Sequence, residues 1–61
     1  MIRRVLLVYV GDELIGAYTN MENVAFYVPG VSASGLRDAS YRRGFPLDYK
    51  GYRIERVVLN V

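Results

Sequence analysis

The chain has 61 residues, 52% apolar, 23% charged and 13% aromatic, with a formal net charge of +2 and no cysteine, histidine or tryptophan. This composition excludes a disulfide framework, a thiolate or imidazole zinc site, an imidazole general base and a cysteine nucleophile. One small domain over residues 1–61 is expected. Hollowing a pocket of about 300 Å³ or more out of so little core argues for a binding module without cofactor, not an enzyme.

Gly11-Asp12 separates two runs rich in Val, Ile, Leu and Tyr, Ile2 to Val10 and Glu13 to Thr19, which predicts a β-hairpin. The first run is apolar on both alternating faces, with Val5, Leu7 and Tyr9 on one and Leu6, Val8 and Val10 on the other. A central strand, or one covered by a partner chain, has this pattern. Thr19-Asn20-Met21-Glu22 fits a capping box with Thr19 as N-cap. Met21, Val24, Ala25 and Val28 then mark one apolar stripe of a short helix that Pro29 limits to about residue 28.

Pro29-Gly30 is a turn signal, and Ser32 suits the N-cap of a second helix with Ala33, Leu36, Ala39 and Ser40 facing inward and Gly44 closing it. Ser34, Arg37, Asp38 and Tyr41 fall on its outer face, with Arg42 and Arg43 in the last turn, where positive charge suits the helix dipole. Phe45 to Asp48 reads as an irregular connection, Tyr49 to Tyr52 as a turn or the start of a strand, and Arg53 to Val61 as a closing strand. The predicted fold is α+β: a small ββααβ domain whose sheet packs on a helix-turn-helix-like pair.

The small net charge conceals an asymmetry. Residues 5–36 carry Asp12, Glu13 and Glu22 and no Lys or Arg, whereas residues 37–56 carry six cations against three carboxylates. Seven of the eight cations are arginine, which pairs bidentately with phosphate or with guanine. On a double-stranded DNA reading, Arg42, Arg43 and Lys50 contact phosphates, while Ser34, Arg37 and Tyr41 approach base edges. The same arginines also fit ordinary solvated charges, with Phe45, Tyr49 and Tyr52 completing the core. Asp38 and Arg42 have the spacing of an exposed intrahelical ion pair. Asp12-Glu13 offers too few oxygen ligands to predict a metal site.

The run from Tyr9 to Ile54 resembles the nuclease-associated modular DNA-binding domains found beside homing-endonuclease catalytic domains and in phage proteins. The likeness rests on the segment IGAYTNMENVAFYV, on Ser32-Ala33-Ser34-Gly35-Leu36 at the second helix, and on Tyr49-Lys50-Gly51-Tyr52-Arg53-Ile54. Val24-Ala25 stands where the pattern has a small pair, Phe26-Tyr27 is bulkier, and the Pro29-Gly30 turn departs from it. The resemblance implies DNA binding through the second helix and the basic closing segment, including Arg53. It also implies a detached module, such as a phage or mobile-element regulator or adaptor. Gly35 costs about 1 kcal/mol of helix propensity against alanine, unless another group must approach it closely.

A homodimer is expected, because recognition by one short helix is weak. The competing reading is a protein-binding module, such as a phage-encoded inhibitor or adaptor, acting through an apolar strand edge of Val5 to Val10 or Val57 to Val61. The absence of cysteine suits the cytoplasm. A six-residue apolar run after Arg3-Arg4 is too short for a signal peptide or a membrane span, so no membrane association is predicted.

Overall fold

A computed structural model describes residues 2–60. The two β-rich runs form β1 (Ile2–Val10) and β2 (Glu13–Tyr18), joined through Gly11 at φ +60. A two-residue hairpin turn needs such a value, and glycine supplies it without steric cost. The pairing runs from Leu6↔Tyr18 to Val10↔Glu13, with a shift between Val8 and Tyr9 that sets Leu14 opposite Tyr9.

The first helix, α1 (Met21–Tyr27), starts one residue later than the capping-box reading. Its N-cap is Asn20, held extended at φ −152 and ψ 170, whose Oδ1 accepts the Asn23 N–H at 2.8 Å. With the cap at Asn20, Glu22 lies only two residues on and points instead to Arg37. Thr19 Oγ1 accepts a longer bond of 3.4 Å from Asn23 Nδ2. The predicted apolar stripe is otherwise observed: Val24 and Val28 are buried, and Met21 and Ala25 are half-buried.

The second helix, α2 (Ala33–Arg43), begins at Ser32, whose Oγ accepts the Gly35 N–H at 3.1 Å. It ends at Gly44, where φ is +71 and the N–H donates to the Ser40 carbonyl at 2.7 Å. Leu36 is fully buried. Gly35 is explained by a neighbour: a Cβ there would collide with the Tyr49 hydroxyl and lie 2.7 Å from Ser32 Oγ.

The segment expected to be irregular contains a short strand, β3 (Leu47–Tyr49), which turns through Lys50-Gly51 into β4 (Tyr52–Asn60). Lys50 at φ 49 and Gly51 at φ 85 are the two positive values of a type I′ turn, so the hairpin closes with the strand twist it needs. Leu47 pairs with Ile54, and both are buried. That burial makes a strand of a stretch whose proline signals a loop. The predicted Val61 end of this strand lies outside the described residues.

The sheet is antiparallel in the order β2-β1-β4-β3. β1 is thus central, paired along its length with β4 from Ile2↔Asn60 to Tyr9↔Arg53. Both helices lie on one face. Leu6, Val8, Leu47 and Ile54 point into the core against Val24, Val28, Val31 and Leu36, and Phe45, Tyr49 and Tyr52 pack partly buried around it. Strand alternation then sends Val5, Leu7, Tyr9, Val57 and Leu59 to the opposite face, which none of the described elements covers.

Candidate nucleic-acid interface

Because Leu36 and its inward neighbours anchor α2 to the core, the helical repeat turns Ser34, Arg37, Asp38 and Tyr41 outward together. These four residues line one shallow surface depression of about 300 Å³. Tyr41 is 92% exposed and Asp38 pairs with Arg42 at 3.4 Å. Arg37 Nη2 donates to Glu22 Oε1 at 2.5 Å, joining the middle of α2 to the start of α1. Arg43, in the last turn, donates from Nη1 to the Asp48 carbonyl at 3.3 Å and so ties the helix end to β3.

The seven residues selected from sequence do not form one group. Ser34, Arg37, Tyr41, Arg42 and Arg43 share α2. Lys50 and Arg53 instead line a separate depression of about 360 Å³ with Gly11, Asp48 and Gly51, to which no α2 residue contributes. Arg53 follows Tyr52 and precedes the buried Ile54, so alternation places it on the helix-free face, where it pairs with Glu55 at 3.2 Å. Lys50 lies in the β3–β4 turn, its Nζ 5.6 Å from the Tyr49 ring centroid.

Two arginines that the sequence did not single out take the place of that pair. Arg4 and Arg56 line a depression of about 270 Å³ together with Arg37, Glu22, Thr19 and Asn20. Arg37 borders both this depression and the one on α2 and is the residue that the two share. Arg4 pairs opposite Val58 and Arg56 opposite Leu6, which places both on the helix-bearing side of the sheet. The only sequence signal for this meeting was the shared alternation of two strands far apart in the chain. The Arg56 guanidinium also lies 5.0 Å from the Phe45 ring centroid, a cation–π geometry that holds an arginine in place without neutralising it.

The two depressions carry Arg4, Arg37 and Arg56 against Glu22 and Asp38, with Arg42 beside Asp38 and Arg43 at the end of the helix, toward β3. Their ion pairs are exposed, with Arg37 and Glu22 at 56% and 62% side-chain accessibility. Such exposed pairs contribute little to stability. No group of three or more acidic side chains able to hold a metal ion occurs among the described residues. No described helix is long and apolar enough to cross a membrane. Neither a protein-family profile, nor a curated protein, nor a solved structure matches this chain.

Proposed function

We propose that the protein is a small non-catalytic DNA-binding module that presents α2 to a duplex, in the manner of a regulator or adaptor. The observation that carries this reading is that Arg37 lies both on the outer face of α2 and at the border of the depression lined by Arg4 and Arg56. Ser34, Arg37 and Tyr41 have the exposed helical placement used to approach base edges in a major groove, while Arg4, Arg42, Arg43 and Arg56 supply charge for phosphates. The likeness of Ser32–Leu36 and Tyr49–Ile54 to modular DNA-binding domains points the same way. In this reading Lys50 and Arg53 make no contact with the duplex held by α2.

Titration of duplex DNA at about 50 and 200 mM salt tests the proposal, because phosphate contacts release counterions. Affinity is expected at the lower salt and a steep loss at the higher. Replacing Arg42 and Arg43 together by alanine is expected to reduce the slope of log K against log salt by about 2. Arg37→Ala is expected to alter sequence preference. Lys50→Ala is expected to leave binding unchanged. No binding at low salt, or binding without salt dependence, refutes the reading. A protein-binding role is the second reading, favoured by the exposure of Ile2 and Val58 at the free end of the β1–β4 pair.

A further inference from the structure

Arg4 and Arg56 stand on one face of the β1–β4 ladder. Arg56 pairs with Leu6 and Arg4 with Val58, so the two arginines are diagonal neighbours, within reach of each other for side chains of this length. Neither has a carboxylate partner among the described residues, whose ion pairs are Arg37–Glu22, Arg42–Asp38 and Arg53–Glu55. Like charges at this range repel, and a ligand of opposite sign bound between them relieves the repulsion. We propose that the depression they line together with Arg37, Thr19 and Asn20 is a binding site for a phosphate monoester.

Donor chemistry and charge select this ligand. The Arg4 and Arg56 guanidiniums only donate hydrogen bonds. Asn20 Oδ1 is taken by the Asn23 N–H, so the capacity left on that side chain is its Nδ2 donor. Thr19 Oγ1 accepts from Asn23 Nδ2, which leaves its O–H to donate. Glu22, the one carboxylate in the lining, is bonded to Arg37. The depression thus offers donors to a group that only accepts. Three arginines against one glutamate leave a net charge of +2, the complement of a phosphate monoester, which carries about −1.5 to −2 at pH 7 and three acceptor oxygens. A carboxylate or an internal phosphodiester has a single negative charge and one acceptor oxygen fewer, and so matches less well. Each arginine fork engages two of the oxygens at once. The Arg56 guanidinium is already steadied over the Phe45 ring, which lowers the ordering cost of binding. The site uses arginines that the DNA reading also uses, but it does not require a duplex.

NMR titration of the isotope-labelled full chain with methyl phosphate tests the site without any variant. Saturable shifts are expected at the amides of Arg4, Thr19, Asn20 and Arg56, with half-saturation below about 10 mM. Dimethyl phosphate, the corresponding diester, is expected to bind at least about fivefold more weakly. Arg4→Gln and Arg56→Gln alter exposed positions, and each is expected to weaken methyl phosphate binding by at least about fivefold with an unchanged far-UV circular dichroism spectrum. Lys50→Gln is expected to leave it unchanged. Duplexes whose strand ends carry a phosphate or a hydroxyl separate the sources of the ligand. Tighter binding of the phosphorylated duplex, lost in Arg4→Gln, supports the site with a strand end as its ligand; equal binding of the two duplexes, alongside saturable methyl phosphate binding, supports it with a small phosphate ester. No saturation by methyl phosphate, equal affinity for the diester, or shifts confined to Lys50 and Arg53 overturns the proposal. Salt-dependent duplex binding that persists when methyl phosphate fails overturns this site and leaves the DNA reading standing, so the two fail separately.

Discussion

Gly35→Ala sets two effects of similar size against each other, and the structure decides the sign. Alanine is the better helix former by up to about 1 kcal/mol, so a sequence-based argument predicts stabilisation. The new Cβ, however, would collide with the Tyr49 hydroxyl and stand 2.7 Å from Ser32 Oγ. Ser32 Oγ caps the helix through the Gly35 N–H, and turning it away forfeits about 1 kcal/mol. Tyr49 packs half-buried against the core, and forcing a side chain from such a site costs about 1–3 kcal/mol. The balance is a net loss of about 1–3 kcal/mol, which in a domain of this size lowers Tm by about 4–8 °C per kcal/mol.

Thermal and denaturant unfolding followed by far-UV circular dichroism measures that loss. The Tyr49→Phe background isolates its cause. Without the hydroxyl the nearest ring atom is Cζ, 3.4 Å from the added methyl, an ordinary packing distance. The double-mutant cycle is therefore expected to return a coupling of at least about 1 kcal/mol. A rise in Tm for Gly35→Ala, or an equal loss in both backgrounds, would refute the reasoning.

Asn20→Ala is expected to cost about 1 kcal/mol by removing the α1 cap, while Thr19→Ala stays within about 0.5 kcal/mol; chemical denaturation of the two variants checks the order. Leu36→Ala, at a fully buried site, is expected to cost about 2–5 kcal/mol. That is a large part of the total stability of a chain this short, so urea unfolding should show a marked drop in midpoint or no cooperative transition.

Much of the fold is legible along the chain because its signals are local. Gly11-Asp12 marked the first hairpin, Ser32 and Gly44 the ends of α2, and the spacing of Val24 and Val28 the inner side of α1. The Asn20 cap and the β3 strand were not legible for two different reasons. Thr19 and Asn20 are both good caps, and only backbone conformation selects between them. Leu47 sits after Phe45-Pro46 in a stretch that reads as a loop, and becomes a strand residue because Ile54 lies beside it in the sheet. The candidate site divides in the same way. Helical periodicity is enough to gather Ser34, Arg37 and Tyr41, whereas the meeting of Arg4 with Arg56 requires the β1–β4 register.

Composition alone removes cysteine and histidine chemistry, and the order of charges along the chain places most of the basic residues from Arg37 onward. Those are properties of residue identity, and folding does not alter them. Which cations share a surface is a matter of strand pairing and sheet face: Arg53 is turned to the helix-free side by the burial of Ile54, and Arg4 is brought to the side of α2 by pairing with a strand more than fifty residues away. The two apolar faces of β1 illustrate the same division. Alternation in the sequence predicts them both, but only the placement of α1 and α2 on one side determines which face becomes core and which remains open.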